Sequence, residues 1–401
     1  MAERWIRAPL GIGADKWITR TGCRTVLVVV AHMAAGTRLL DVLPLLEADH
    51  RIQVTFTVPD TGDGWHATDE FVRAQGGLYL PWQQAIRHEF DLVLVASHTA
   101  MDRVHGPVLL LPHGSGATKS LLRVRSAGAG SVPTHGLDRQ MLMRDGRLVP
   151  AALALTHDDE LRVLRESCPE AVPRAVVAGD PCLDRMLASV PLRESYRRAL
   201  GVGSGQRLVT VSSTWTAKSA FGRHPDLFAR LLAELTGRGD RVAAILHPNI
   251  WAVHGRWQVR AWLADCLRAG LILLPPEEGW RAAVVASDAV IGDHGSVTRY
   301  AAALGVPVAM AAFPTEEVRP SAPARALADL AARIDLTQPI EPQLPTSTDV
   351  ERQRAAGALL SSAPGRSGAI LRRTMYRLLD IPEPVRAVPV SPVPLPRPVP
   401  R

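Results

Sequence analysis

Two series of uninterrupted apolar runs, separated by amphipathic stretches, most constrain what this chain can fold into. In the first half the runs fall at residues 24–33, 52–60, 90–97, 106–114 and 173–181. They are rich in Val and Leu and do not alternate with polar residues, which is typical of strands covered on both faces. Such strands with helices between them predict a parallel sheet between two helix layers.

The same pattern restarts after residue 205. A second set of apolar runs lies at 207–213, 241–248, 271–276, 288–293 and 306–312. Two such series predict an α/β protein with two tandem Rossmann-like domains and a cleft between them. The length of 401 residues agrees, because one hydrophobic core rarely needs so long a chain.

The composition of the segments suggests the domain limits. We expect an N-terminal Rossmann-like domain over 1–188, a C-terminal one over 189–340, and a helical segment over 341–382. Residues 383–401 are proline-rich. This composition predicts a disordered, polyproline-like tail, which would serve as a linker or as a ligand for the groove of a partner.

The charge balance limits the partners. The net charge is +7, from 46 basic and 39 acidic residues, without a Lys/Arg block among aromatic residues. This pattern argues against a nucleic-acid partner. The positive field suits an anionic small substrate, a phosphorylated polymer or an anionic membrane surface.

The apolar and cysteine patterns indicate the compartment. No apolar run is long enough to cross a bilayer or to act as a signal peptide, which predicts a cytoplasmic protein, with peripheral contact at the inner face of the membrane left open. The four cysteines contain no CxxC pair, and we expect reduced thiols.

Polar residues directly after strands are the candidate site residues, because the carboxyl ends of parallel strands and the helix N-termini beyond them bind anions. His113 and Gly114 follow one such strand in "LLLPHGSG". This histidine could act as a general base or phosphate ligand, or could cap the turn.

Two further strand ends lie in the second series. Ser212, Ser213 and Thr214 could bind a phosphate or simply end their strand. His247 runs directly into Pro248, which forces it out of helical geometry and leaves a functional or a structural role open.

The turn "GDHGS" carries the fourth group. Gly295 relaxes the turn, and Ser296 stands where a helix N-cap is expected, so that its hydroxyl and the following amides would cradle an anion. His294 would face the same anion or flank it. Asp293 has no second carboxylate or histidine at ligand spacing, so we predict no metal.

A metal-like sequence elsewhere has a simpler interpretation. His157, Asp158 and Asp159 lie where Thr156 and Asp159 have the spacing of a capping box. We therefore interpret this stretch as the start of a helix.

Five short motifs occur in a fixed order: "PHGSG", "AGDPCLDRML", "VSSTWT", "ILHP" and "SDAVIGDHGSVTRYAAALGVPV". Together they resemble the CDP-glycerol glycerophosphotransferase family, the wall teichoic acid primases and polymerases with a GT-B fold. The matching positions are His113 and Gly114; Gly179, Pro181 and Asp184; Thr214 and Trp215; His247 and Pro248; and Asp293, Gly295 and Ser296. The family's Tyr-Ser before its last serine is replaced by His294 and Gly295.

The resemblance implies a metal-independent transferase without a cofactor. Its C-terminal domain would hold the phosphates of a nucleotide-diphosphate donor near Thr214, His247 and Ser296, and His113 would activate a hydroxyl acceptor from the N-terminal domain. The transferred group would be a glycerophosphate, a polyol phosphate or a sugar. Two alternatives stay open: a nucleotide-sugar epimerase or hydrolase of the same fold, and a binding protein without activity.

Overall fold

A computed structural model describes residues 5–11, 13–61, 66–116, 136–319, 322–345 and 350–400. Within these ranges the chain divides into two compact units. Unit 1 contains the described residues up to 116, then 136–182 and 362–389. Unit 2 contains the described residues between 183 and 361, and 390–400.

Unit 1 is built on a seven-stranded sheet of order β3-β2-β1-β4-β5-β8-β9, in which every pairing is parallel. The strands, including the small β6–β7 hairpin, are β1 (Arg24–Val29), β2 (Ile52–Thr57), β3 (Leu78–Tyr79), β4 (Leu92–Val95), β5 (Val108–Leu110), β6 (Met143–Arg144), β7 (Arg147–Leu148), β8 (Ala152–Leu155) and β9 (Ala175–Val177). The helices are α1 (Met33–Val42), α2 (Thr68–Ala74), α3 (Trp82–Ala85), α4 (Arg139–Leu142) and α5 (Asp158–Ser167).

Strand β1 shows why the apolar runs do not alternate. Val26 and Val28 belong to the core on one face of the sheet, whereas Leu27 and Val29 belong to the core on the other. All four side chains are at most 2% exposed. Both faces of the sheet are therefore covered, as the continuous Val/Leu pattern predicts.

The chain passes from unit 1 to unit 2 between Cys182 and Leu183, inside α6 (Pro181–Ser189). Unit 2 has a six-stranded sheet of order β12-β11-β10-β13-β14-β15, again parallel at every pairing. The strands are β10 (Leu208–Ser213), β11 (Arg241–Leu246), β12 (Ile272–Leu273), β13 (Ala289–Gly292), β14 (Val308–Met310) and β15 (Ala332–Arg333). The helices are α7 (Arg193–Ala199), α8 (Ala220–Arg223), α9 (Leu227–Leu235), α10 (Pro248–Trp262), α11 (Ala264–Arg268), α12 (Trp280–Ala286), α13 (Ser296–Ala303), α14 (Pro323–Leu330) and α15 (Val350–Ala358).

Both sheets have the nucleotide-binding order in which the first strand is central and the fourth lies on its other side. The two tandem Rossmann-like domains predicted from the sequence are therefore confirmed as two Rossmann-type units. The sequence pattern missed the hairpin strands β6 and β7 and three strands of the large sheets, β3, β8 and β15. All but β8 are only two residues long, and "ALAL" of β8 resembles a helical stretch. Helix α10 has a kink at Gly255, whose φ of 78° lies outside the helical range.

The C-terminal region differs from the prediction of a separate helical segment. Helix α15 packs against α13 in unit 2, whereas α16 (Ser367–Leu378) belongs to unit 1. Its Leu371, Met375 and Tyr376 lie in the core of unit 1 and are at most 2% exposed. These apolar positions on one helix face explain the attachment.

The proline-rich tail was expected to be disordered, but residues 390–400 belong to unit 2, without helix or strand. Ser189 Oγ accepts from the Val393 N–H at 2.9 Å, and the Tyr196 hydroxyl donates to the Val393 carbonyl at 2.7 Å. The Val399 N–H donates to the Leu273 carbonyl at 2.8 Å, at the end of β12. Polar partners along the tail and burial of Val393 thus replace the internal hydrogen bonds that a polyproline segment lacks.

None of the helices in the described part of the chain has the length and apolar character needed to cross a membrane.

Candidate functional site

The carboxyl ends of β10 and β13 form the topological switch point of unit 2. These strands are neighbours, but the chain leaves β10 toward β11 on one side and reaches β13 on the other. In open parallel sheets, ligands bind in the crevice at this point. The residues after the two strands, Thr214 and Asp293, therefore occupy the position where the sequence predicted a site.

Asp293 joins the loops after these two strands. Its Oδ2 accepts from the Thr214 N–H at 2.8 Å, from the Thr214 hydroxyl at 2.7 Å and from the Ala220 N–H at 3.1 Å. Its Oδ1 accepts from the Gly295 N–H at 3.0 Å. The side chain is buried, and both oxygens are occupied by donors. Asp293 therefore supports the site and is not placed as a metal ligand.

Helix α13 begins one residue earlier than the sequence suggested, because Ser296 was predicted as its N-cap. Its N-cap is Gly295, without a side-chain cap, and Ser296 is the first helical residue. A Cβ at residue 295 would lie 2.8 Å from Thr214 Cγ2, so the approach of the two loops requires glycine. Ser296 is partly exposed and His294 is buried. A glycine N-cap leaves the first-turn amides without a capping side chain from that residue, which favours an anion there.

Two hydroxyls predicted to bind phosphate are engaged in the loop. Thr214 Oγ1 donates to Asp293, and Ser213 Oγ donates to the Thr214 carbonyl at 2.9 Å. Ser213 Oγ also accepts from the Phe221 N–H at 2.9 Å. Both side chains therefore shape the loop that follows β10. Ser212 is buried within that strand.

His247 caps the helix that follows β11. Its Nδ1 accepts from the Asn249 N–H at 3.1 Å, at the N-terminus of α10. A ring nitrogen that accepts carries no proton, so in the neutral ring the proton lies on Nε2. The sequence left a structural and a functional role open for His247. The cap uses Nδ1, and the Nε2–H of the neutral ring remains a possible donor to a ligand.

In unit 1, His113 follows β5 and is exposed. Its ring forms an edge contact with His32, with centroids 5.2 Å apart and an interplanar angle of 89°. His32 Nδ1 accepts from the Ala35 N–H at 3.2 Å and caps α1. Burial lowers the pKa of His32 to about 4, so its ring is neutral. His32 was not predicted as a site residue; it lies shortly after β1 and, like His247 after β11, caps the helix that follows.

The turn after His113 is held by a buried ion pair that was also missed. Arg38 binds Asp180 at 2.8 and 3.2 Å, and both side chains are at most 4% exposed. The same guanidinium donates to the Gly114 carbonyl at 3.1 Å. Since breaking a buried pair leaves an uncompensated charge, this contact fixes the His113 turn firmly.

The remaining predicted positions lie near the ends of other elements. Gly179 has a φ of 79°, which favours glycine, and precedes α6, in which Asp184 is buried. The helix predicted to start at His157 is confirmed as α5, with His157 as its N-cap in place of Thr156. The acidic residues there belong to the first turn of that helix.

Comparison with solved structures identifies the architecture. The wall teichoic acid polymerase TagF matches with a TM-score of 0.57 at 12% identity over 90% of each chain. A TagF structure soaked with CDPG matches at 0.55 and 10%, over 89% of this chain and 88% of that one. UDP-GlcNAc 2-epimerase from Neisseria meningitidis, bound to UDP-GlcNAc, matches at 0.52 and 15%, over 88% of this chain and 100% of its own.

The two Rossmann-type units and these matches define a protein of the GT-B fold. Within that class the structure resembles wall teichoic acid polymerase, in agreement with the ordered motifs in the sequence. Comparison with protein-family models and with curated protein sequences finds no match.

Proposed function

We propose that this protein is a GT-B transferase that moves a glycerophosphate, polyol phosphate or sugar from a nucleotide-diphosphate donor to a hydroxyl acceptor. The observation that carries the proposal is the switch point of unit 2. There Asp293 holds the loops after β10 and β13 together beside the glycine-capped start of α13. Helix amides at such a point suit a pyrophosphate.

The donor phosphates would rest on Ser296 and the amides after Gly295, with the Nε2–H of His247 as a further donor. His294 flanks this position, and Ser213 and Thr214 act through the loop they shape. Hydrogen bonds of this kind stabilise the charge that develops on the leaving group, and each is worth about 2.7–4 kcal/mol of barrier.

His113 would act as the general base. The acceptor hydroxyl loses its proton to the His113 ring while its oxygen forms the bond to the transferred phosphorus or carbon. The bond to the leaving nucleoside phosphate breaks, and that group keeps the electron pair. Arg38 and Asp180 contribute by fixing the turn that carries His113. No step requires a metal or a cofactor, because N–H donors and histidines supply the charge stabilisation.

The test uses donors and one variant. Thermal unfolding is followed with CDP-, UDP-, GDP- and dTDP-linked donors, since a bound ligand raises the midpoint by mass action. The donor that stabilises the protein is then used for turnover with hydroxyl acceptors. His113→Ala should abolish turnover and leave donor binding unchanged; equal loss of binding and turnover contradicts the base assignment.

An epimerase or hydrolase is the second candidate, favoured by the likeness to the UDP-GlcNAc 2-epimerase. Such an enzyme would consume the donor without any acceptor, whereas the transferase requires one. Donor binding without any product over long incubation would indicate a binding protein that kept the fold.

We also propose a cytoplasmic protein that contacts the membrane peripherally. The net charge of +7 suits an anionic surface. On α10, Val253, Trp257 and Trp262 are 57%, 78% and 48% exposed, and such side chains favour the bilayer interface. The protein should float together with anionic vesicles in a density gradient, and Trp257→Ser should reduce the fraction bound to the vesicles. Equal recovery of the wild-type protein and Trp257→Ser with the vesicles would contradict membrane contact through α10.

A further inference from the structure

Lysine is rare in this chain. Among 46 basic residues only Lys16, Lys119 and Lys218 are lysines. Lysine differs from arginine in having a compact, rotatable ammonium group that pairs with a phosphate as a point charge. Lys218 lies in the loop after β10, beside the switch point of unit 2.

The loop that carries Lys218 is closed by Asp293. One oxygen of this carboxylate accepts from the N–H groups of Thr214 and Ala220, which lie at the two ends of the loop. Within it, the Lys218 N–H donates to Thr216 Oγ1 at 3.3 Å, and Ser219 Oγ caps α8. The base of the loop therefore has a fixed position relative to the turn that opens α13.

The Lys218 side chain is paired across the end of β13. Its Nζ lies 2.8 Å from Oε1 of Glu316, which follows β14. Because β13 lies between β10 and β14, the two partners reach toward each other from both sides of the strand that leads into α13. The ammonium group is thus held beside the position proposed for the donor phosphates.

The pair is exposed and easily exchanged. The side chains of Lys218 and Glu316 are 52% and 57% exposed. Breaking an exposed ion pair costs little free energy, because water and salt already screen its charges. A pyrophosphate carries more negative charge than one carboxylate and would displace Glu316 at this cost. The hydrogen bond from Lys218 also lowers the pKa of Glu316, so the competitor stays charged at neutral pH.

We propose that Lys218 is a ligand of the donor phosphates and that Glu316 competes with them for its ammonium group. The inference rests on the proposed function, because it concerns the same phosphate position. It adds an internal competitor, so that the ligand-free site is closed by an ion pair that opens when a pyrophosphate enters.

The test measures binding of inorganic pyrophosphate, CDP and UDP by isothermal titration calorimetry. Lys218→Ala should weaken binding about tenfold, the value of one charged hydrogen bond. Glu316→Gln should tighten it about two- to fivefold, because the competitor is gone. The double variant should bind like Lys218→Ala. Opposite signs of the single variants are the signature of competition; a pair that only ties two loops together would give the same sign.

Arg268→Ala and Asp265→Asn are matched controls. They change the charge by the same amounts within another exposed pair of unit 2 and should leave binding unchanged. If the wild-type protein binds a probe and Lys218→Ala binds it equally, the Lys218 assignment is wrong while the donor site stands. If the wild-type protein binds none of the probes, the donor site and this inference are both wrong.

Discussion

At the residue scale, the side chains that are typical of catalytic sites also have structural roles. Asp293 ties two loops, and His32, His157 and His247 each cap a helix through Nδ1. A capping nitrogen holds the ring in one tautomer and orientation. For His247 this means that the cap aims a donor, so the structural and the chemical roles depend on the same ring and need variants that separate them.

His247→Asn and His247→Ala separate these roles. Asparagine is a good N-cap and keeps the acceptor, whereas alanine loses it at a cost of about 1 kcal/mol. We expect normal stability but lost turnover for His247→Asn, and both losses for His247→Ala. Thermal unfolding and initial rates provide the measurement, with His157→Asn as the control cap on α5. Full activity of His247→Asn would show that the His247 ring only caps α10 and does not act as a donor.

Asp293→Ala should lower the free energy of unfolding by about 2–4 kcal/mol, because the buried N–H of Ala220 and the partly buried N–H groups of Thr214 and Gly295 lose their acceptor. Chemical denaturation measures the change, and Asp265→Asn, at a side chain 94% exposed, is the neutral comparison. Lost activity with unchanged stability would instead indicate that Asp293 acts directly on the substrate.

The half-buried His32 ring predicts a pH dependence of stability. Its pKa falls from 6.5 in the unfolded chain to about 4 in the folded one, because burial disfavours the charged ring. The stabilisation is present above pH 6.5 and is lost as the pH falls toward 4, since only the unfolded chain binds the proton in that range. The upper bound is about 3 kcal/mol. His32→Asn keeps a capping acceptor and should flatten denaturation midpoints across this range; an unchanged slope would exclude His32 as the source.

At the element scale, long apolar strands were predictable and close helix contacts were not. The runs that became β1, β10 and β11 are continuous and bounded by turns, so their position follows from the sequence alone. Helix α15 has little amphipathic character by comparison, and its contact with α13 depends on Gly357, where a Cβ would overlap the backbone of Ala303. Such an approach depends on tertiary geometry, which periodicity does not encode.

Gly357→Ala should therefore destabilise unit 2. The new methyl group would force α15 away from α13, at a typical cost of about 1–3 kcal/mol for overpacking. Gly237→Ala is the matched control, because its Cβ would meet nothing within 4 Å. Chemical denaturation of both variants provides the comparison, and equal midpoints would mean that the two helices separate without cost.

The candidate site shows the same limit. His113 and His247 could be proposed as candidates from the sequence because each lies at the end of an apolar run. The partners that position the site could not, because Arg38 and Asp180 are 142 residues apart in sequence and Lys218 and Glu316 are 98 apart. The Ser296 cap was misplaced by one residue because Gly295 is favoured where Thr214 approaches closely. Sequence spacing indicates strand ends, but only the fold shows which of them meet.

At the scale of the whole molecule, the chain crosses between its two units more than once. It enters unit 2 at Leu183, returns to unit 1 at Ser362 for α16, and enters unit 2 again at Val390. The last segment lies along unit 2 and bonds to the end of β12, the edge strand of its sheet. Covering an edge strand prevents pairing with other chains.

Removal of residues 390–401 should expose that edge. We expect faster hydrogen exchange at β12 and self-association that depends on protein concentration, while exchange in α16 stays unchanged. Hydrogen exchange by mass spectrometry and light scattering measure both effects. Tyr196→Phe, which removes the hydroxyl bound to Val393, should give a smaller change of the same kind. A truncated chain with unaltered exchange at β12 would show that the tail does not protect it.

The path of the tail also determines where spectroscopic probes report. A dye at the exposed Arg373 of α16 would follow unit 1, whereas a dye at Pro400, whose carbonyl accepts from Arg260, would follow unit 2. Energy transfer between two labels placed near the same end of the sequence would therefore read out the separation of the units. Recording it with and without nucleotide would time any domain motion during turnover.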